Sequence, residues 1–220
     1  CALPICPEPL TINNTTIAPV SSFKFLGMTI EQSLGLDDHV KIVASKIRAA
    51  AAKIRADGSS FSTPDRRRLY MGWVQGVLCS NAPAFLPLVS KTQANELQTS
   101  CNAAIRSVAN IPRHSQDSFS ISTVRTQLNI MSVAAITEKI NHTQSWKSRC
   151  TLRALNLDSK GPTTRAKSNG NVPQPIQKGM RGKLISTQAQ CAYNRLPKSI
   201  KEEDDESMAK FRICAHIYSQ

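Results

Sequence analysis

Ser21-Ser22-Phe23-Lys24-Phe25-Leu26-Gly27-Met28-Thr29-Ile30, followed shortly by the basic, alanine-rich stretch Asp38 to Ala56, decides how this chain folds. Phe23, Phe25 and Ile30 favour extended backbone, and Gly27 permits a bend or a close backbone approach. Phe23 to Ile30 is therefore expected to be a strand belonging to a small antiparallel hairpin. From Leu36 the apolar period becomes helical. Leu36, Val40, Val43, Ile47, Ala50 and Ile54 recur at steps of three and four and so share one face. Asp37 or Asp38 suits the N-cap, and Asp57-Gly58-Ser59-Ser60 ends the helix.

Upstream, Pro4, Pro7, Pro9 and Pro19 exclude helix, and Leu10-Thr11-Ile12 and Ile17 read as short strands around an Asn13-Asn14 turn. Downstream, Thr63 as cap and Pro64 at the first position open a second helix, with Leu69, Tyr70, Trp73, Val74, Val77 and Leu78 as its apolar side. A third runs from about Lys91 to Asn110 and buries Ala94, Leu97, Cys101, Ala104, Ile105 and Val108. A fourth covers Ser120 to Leu128. A fifth runs from Ser132 to Leu155 through Val133, Ile136, Ile140 and Trp146. Residues 158–183 lack apolar periodicity and carry Lys160, Arg165, Lys167, Lys178, Arg181 and Lys183, the composition of a flexible basic linker. Leu184 to Asn194 forms a short helix, Glu202 to Glu206 a solvated turn, and Ser207 to Tyr218 a last helix presenting Met208, Phe211, Ile213, Ala215 and Ile217. The expected fold is mostly α: an antiparallel helical array preceded by a small β-hairpin, then a basic linker and a small C-terminal helical segment. Its divisions fall at 1–31, 32–112, 113–157, 158–183 and 184–220.

Lys and Arg number 28 against 15 Asp and Glu, a net charge of +13, which favours a polyanionic partner. Seven scattered cysteines, an odd number without a CxxC pair, argue against a disulfide framework and for a reducing, intracellular setting, nuclear or cytoplasmic. No apolar run of about 18 residues is present to span a membrane. The chain opens on Cys1, and Cys-Ala-Leu-Pro-Ile-Cys-Pro has neither the basic start nor the apolar core of a signal peptide. It is expected to be a piece of something longer.

The search for catalytic groups is negative. Two-metal phosphoryl transfer needs carboxylates converging on cations about 4 Å apart. The Asp-Asp pairs are Asp37-Asp38, which suits a helix cap, and Asp204-Asp205, which sits in an acidic loop. His39, His114, His142 and His216 have no nucleophile or base at a motif spacing, and no metal ligand set is expected. Trp73, Trp146 and Tyr70 lie on apolar stripes, where core packing outweighs base stacking.

The first long helix carries the charge in an ordered way. At about 100° per residue, Lys41, Arg48 and Arg55 form one stripe and Lys46 and Lys53 another, one on each side of the apolar face. Between them, opposite the core, lie Ser45, Ala49, Ala52 and Ala56, all small. A smooth ridge edged by two cation rows suits a nucleic-acid groove, with phosphates on either side. Arg66-Arg67-Arg68 opens the second helix against its own dipole, which suggests an anionic neighbour for two of the three, Arg66 and Arg67.

Several elements, in order, resemble the C-terminal third of non-LTR retrotransposon polyproteins. Phe23-Lys24-Phe25-Leu26-Gly27 with Thr29-Ile30 is similar to the family's Tyr/Phe-Leu-Gly-x-x-Ile/Leu strand, which follows the catalytic palm of the reverse transcriptase. Asp38-His39-Val40 with Lys46-Ile47 resembles the opening of its thumb helix, and Arg68-Leu69-Tyr70 to Leu78 the helix after it. Leu97-Gln98 to Ile105-Arg106, then Ile111-Pro112, and Tyr193-Asn194-Arg195-Leu196-Pro197 with Phe211 resemble the segments that follow. The aromatic-x-Asp-Asp motif is absent. The resemblance implies that 1–31 is a remnant of palm-edge strands and 32–112 a thumb-like bundle, with 113–157 packed on it. It implies that Phe23, Lys24, Phe25, Leu26 and Gly27 support a primer terminus, while Lys41, Lys46, Arg48, Lys53, Arg55, Arg66 and Arg67 grip an RNA–DNA duplex. Mg2+ would belong to a palm outside this chain, which by itself holds no cofactor and is expected to be inactive. The expected partners are RNA, RNA–DNA duplex, and the palm and fingers of the same polyprotein. The competing expectation is a noncatalytic helical scaffold that works through protein contacts.

Overall fold

The computed structural model describes residues 9–13, 15–112, 120–148, 169, 171 and 185–219. Helix α1, Asp37–Asp57, is its longest element, and Val40, Val43, Ala44, Ile47, Ala50, Ala51 and Ile54 form the buried stripe expected from the sequence. Leu36, not an aspartate, holds the N-cap position and makes no side-chain cap. The cap comes from outside the helix: Glu31 Oε1 accepts the Asp38 N–H at 2.7 Å. Asp37 and Asp38 sit in the first turn, where their charge still suits the dipole.

Before α1 come two separate two-stranded antiparallel sheets, β1 (Leu10–Ile12) with β2 (Thr15–Ile17), and β3 (Ser22–Phe25) with β4 (Met28–Glu31). The stretch Phe23 to Ile30 is thus a complete hairpin and not one strand. It pairs Phe23 with Ile30, Lys24 with Thr29 and Phe25 with Met28. Leu26 and Gly27 both have positive φ, 47° and 84°, the backbone of a tight two-residue hairpin turn. A Cβ on Gly27 would also meet Asn81 Nδ2 at 3.0 Å, so a side chain there would be strained and would crowd the amide that holds the hairpin.

After the 3-10 turn Gly58–Ser60, α2 spans Thr63–Leu69, capped by Ser62, one residue before the expected Thr63, through the Asp65 N–H. The helix then widens into a π segment, Tyr70–Gln75, before α3, Gly76–Cys79. The wider turn stacks Tyr70, Val74 and Leu78, four apart, in the core. Trp73, placed in the core by an α-helical wheel, is instead 39% exposed. Helix α5, Lys91–Ala109, follows α4 (Ala82–Phe85) and the 3-10 turn Leu86–Leu88, and buries Leu97, Cys101, Ala104, Ile105 and Val108. A Ser90–Gln93 capping box starts it and Asn110, in the left-handed region, ends it.

The order of side-chain pairings fixes helix direction. Asp37 meets Gln93, Arg48 meets Ser100, and Arg55 meets Ser107, so α1 and α5 run parallel. The α2–α3 column begins where Arg66 lies across Gly58 at the end of α1. It ends at Asn81, whose Nδ2 donates to Leu26 O of the hairpin docked at the start of α1. The column therefore runs antiparallel to both, giving an up-down-up array.

The chain divides into two units, Cys1–Asn81 with Val89–Ile121, and Ala82–Leu88 with Ser122–Gln220. The second comprises α4 and its 3-10 turn, α6 (Ile121–Gln127), which begins at the division, α7 (Val133–Lys147), α8 (Ile185–Arg195), α9 (Lys198–Lys201) and α10 (Glu206–Tyr218). Trp146, Tyr193, Leu196, Ile200, Ala209, Ile213 and Ile217 form its main cluster. Asp205 caps α10 through the Met208 N–H at 2.7 Å. Met208 and Phe211, expected on the apolar side, are exposed, because the stripe Ala209, Ile213 and Ile217 faces inward. Lys201 is buried with its ammonium donating to Asn171 Oδ1 (2.6 Å), Asn169 O (3.2 Å) and Asn194 O (3.4 Å), above the Tyr193 ring. Apart from Asn169 and Asn171, the expected basic linker lies outside the described residues.

Ile47, wholly buried, anchors the α1 stripe. Ile47→Ala is expected to lower the unfolding free energy by about 2–5 kcal/mol, read from urea denaturation. A pH dependence also follows. The Thr29 N–H donates to His39 Nδ1 at 3.3 Å, which requires that nitrogen to be unprotonated. Burial, and then the Lys46 charge, hold the His39 pKa below its usual 6.5. His142, buried edge-on to His216 and 3.4 Å from Glu138, is lowered mainly by burial, with Glu138 opposing. Well above their usual pKa both rings are neutral whether folded or unfolded, so their stabilising contribution is complete. Below it the unfolded chain takes up protons first, and stability falls as the pH approaches the folded values. Denaturation titrations should show that acid loss, and His39→Gln should remove part of it; an unchanged slope in His39→Gln contradicts the His39 assignment.

Candidate nucleic-acid interface

On the solvent face of α1, Ser45, Ala49, Ala52 and Ala56 are all exposed, forming the ridge expected from the sequence. Lys46 and Lys53 flank one side, both exposed and without a hydrogen bond or ion pair among the described residues. Lys41, Arg48 and Arg55 flank the other. Seven residues separate successive members of each row, about 10.5 Å at 1.5 Å per residue. Ile42, on the lysine side, is exposed as well.

The two rows differ in how they are held. The lysine row projects freely. The arginine row borders α5: Arg48 Nη1 is 3.3 Å from Ser100 Oγ and Arg55 Nη2 is 3.3 Å from Ser107 Oγ. Glu96 lies 4.0 Å from Arg48, and Asp38 lies 3.7 Å from Lys41. Both acid pairings join groups exposed enough for water to weaken them. The serines of α5 do not stand out in the sequence. Their spacing of seven, equal to that of the arginines, is the available signal, but two polar residues on an apolar stripe read as tolerated small side chains.

The arginine triplet divides differently. Arg68 is exposed and pairs with Asp65 at 2.9 Å. Arg66 is half-buried, its aliphatic stem lying across Gly58, where a Cβ would meet Arg66 Cδ at 3.0 Å, and its guanidinium reaching Thr63 Oγ1 at 3.4 Å. Arg67 is half-buried and partnered. Arg66 therefore serves the corner between α1 and α2, a local role that accounts for one cation in a first helical turn.

Of the expected primer-support residues, Phe23, Lys24 and Phe25 lie on β3, and Leu26 and Gly27 form its turn. Phe23, Phe25 and Leu26 are exposed. The hairpin is tied to the helical array by the Glu31, His39 and Asn81 hydrogen bonds. Of the aspartate pairs, Asp37 accepts from Gln93 Nε2 at 2.7 Å and Asp205 caps α10, so each has a structural task. Among the described residues no three His, Cys, Asp or Glu side chains come together to hold a metal ion, and no helix is long and apolar enough to cross a membrane. Cys101 is buried, its thiol pushed up to about 12 by burial despite a hydrogen bond with the Tyr70 side chain. It is a core group and not a nucleophile.

Compared with protein-family models, curated proteins and solved structures, the chain matches none.

Glu96 is the one acidic side chain of α5, and it stands beside the arginine row. Glu96→Gln is expected to strengthen retention on an immobilised polyanion, so that elution needs more salt. Earlier elution would show that Glu96 orients Arg48 more than it screens it.

Proposed function

We propose that this chain is the nucleic-acid-gripping, thumb-like and C-terminal portion of a non-LTR-type reverse transcriptase, an RNA-directed DNA polymerase whose catalytic carboxylates lie outside it. The observation that carries this reading is the face of α1: two cation rows on either side of an exposed ridge of small residues. Such a face presents charge to two lines of phosphates across a ridge that is mostly alanine, so it suits backbone recognition with little sequence preference. An RNA–DNA duplex, with the wide, shallow minor groove of A-like geometry, admits a smooth ridge. The hairpin at the start of α1 would then stand at the primer end of the duplex, with Phe23 to Gly27 as support.

Arg48→Glu with Arg55→Glu tests the reading. Duplex affinity should fall, and the log–log salt slope should shrink by about 0.9 for each phosphate no longer neutralised. The native chain should give no metal-dependent primer extension. An unchanged affinity and slope in the double variant would overturn the grip, and extension by this chain would overturn the claim that its active site lies elsewhere.

A second reading, a noncatalytic scaffold acting through protein contacts, is favoured by one set of observations. Phe23, Phe25 and Leu26 on the hairpin, and Met208, Phe211 and Tyr218 on α10, are exposed apolar side chains. A scaffold of that kind would be indifferent to charge reversal on α1.

A further inference from the structure

Two arginine–serine pairings repeat along the α1–α5 interface. Arg48 meets Ser100 and Arg55 meets Ser107, each at 3.3 Å. The second pair is displaced by seven residues on both helices. Ser100 and Ser107 are only 2% and 4% exposed. Each hydroxyl donates to the carbonyl four residues earlier, Glu96 O at 3.1 Å and Ala103 O at 3.2 Å. A hydroxyl has one proton and two lone pairs. With the proton committed to the backbone, each serine oxygen can face its arginine only as an acceptor, and from a fixed direction.

That arrangement does something an acidic partner could not. A carboxylate would hold the guanidinium but neutralise it, as Asp65 does for Arg68. A neutral hydroxyl takes one of the five N–H donors, restrains a side chain rich in rotamers, and leaves the positive charge available, fully at Arg55 and at Arg48 offset only by the half-exposed Glu96 carboxylate 4.0 Å away. We propose that Ser100 and Ser107 are positioning residues that pre-orient Arg48 and Arg55 towards phosphate. The inference rests on the reading that the α1 face binds nucleic acid.

The test compares two variants of the full chain on one RNA–DNA duplex across a salt series. Ser100→Ala with Ser107→Ala keeps every cation. It should weaken binding by about fivefold, a little over twofold for each of the two hydrogen bonds lost, with the salt slope unchanged. Ser100→Thr with Ser107→Thr, which keeps both hydroxyls, should restore most of the affinity. Arg48→Gln with Arg55→Gln should weaken binding and shrink the slope. If the glutamine variant weakens binding while the alanine variant binds like the native chain, the positioning role is overturned and the grip stands. If neither variant alters binding, both fall. A measurement on the native chain avoids any question of misfolded variants. By NMR relaxation, the Nε–H groups of Arg48 and Arg55 should be more ordered than that of exposed Arg195, and equal disorder overturns the proposal.

Discussion

The parallel seating of α1 on α5 is the constraint on which the rest of the first unit depends. An amphipathic helix in water gains little from propensity alone and must bury its apolar stripe. Here the stripe from Val40 to Ile54 is covered by Leu97, Ala104, Ile105 and Val108, with Tyr70, Val74 and Leu78 closing the array. The polar pairings then fix the register. Gln93 completes the capping box of α5 with its carbonyl oxygen and reaches Asp37 of α1 with its amide nitrogen, so one side chain aligns both helix starts. With the starts aligned, the arginines and serines fall opposite each other further along both helices. The exposed face of α1 is consequently a fixed surface and not that of a free-standing helix.

The hairpin depends on the same constraint from its other side. A two-stranded sheet is marginal by itself, and β3–β4 has most of its apolar side chains in water. What holds it is polar: Glu31 capping α1, Thr29 bonded to His39, and Leu26 O bonded to Asn81. Two of these partners sit at or near the first turn of α1 and the third follows α3. The hairpin can dock in this way only if α1 and α3 are already packed. One of the three bonds needs an unprotonated His39 nitrogen, which couples the hairpin to pH through one ring nitrogen.

Much of the fold was legible because apolar period and punctuation agreed. The α1 stripe, the start and end of α5, and the first buried residues of α7 follow from steps of three and four and from caps. What escaped had local physical reasons. Gly27 permitted a bend, but the turn needs positive φ at Leu26 too, which a leucine does not advertise. Trp73 looked like core on a wheel of 3.6 residues per turn, and the π segment invalidates that wheel from Tyr70 onwards. Met208 and Phe211 looked like core because they are large and apolar, yet the buried stripe of α10 includes Ala209, whose small side chain gives no such signal. The cap of α1 was misplaced because a distant carboxylate, Glu31, stands in for a local one.

For the candidate interface the sequence revealed which residues share a face but not what each is attached to. The wheel makes Lys41, Arg48 and Arg55 equivalent, whereas Lys41 leans on an acid, Arg48 on a hydroxyl with an acid beside it, and Arg55 on a hydroxyl. It also makes the arginine and lysine rows look like mirror images. One is restrained by a neighbouring helix and the other is not, so they would contribute differently to an encounter. Free lysines on flexible stems attract phosphate from a distance with little geometric demand, and braced guanidiniums set where it stops. That division requires α5 beside only one edge of α1. The up-down-up order supplies it, since α5 returns along the arginine edge while the ridge and the lysine edge remain in water.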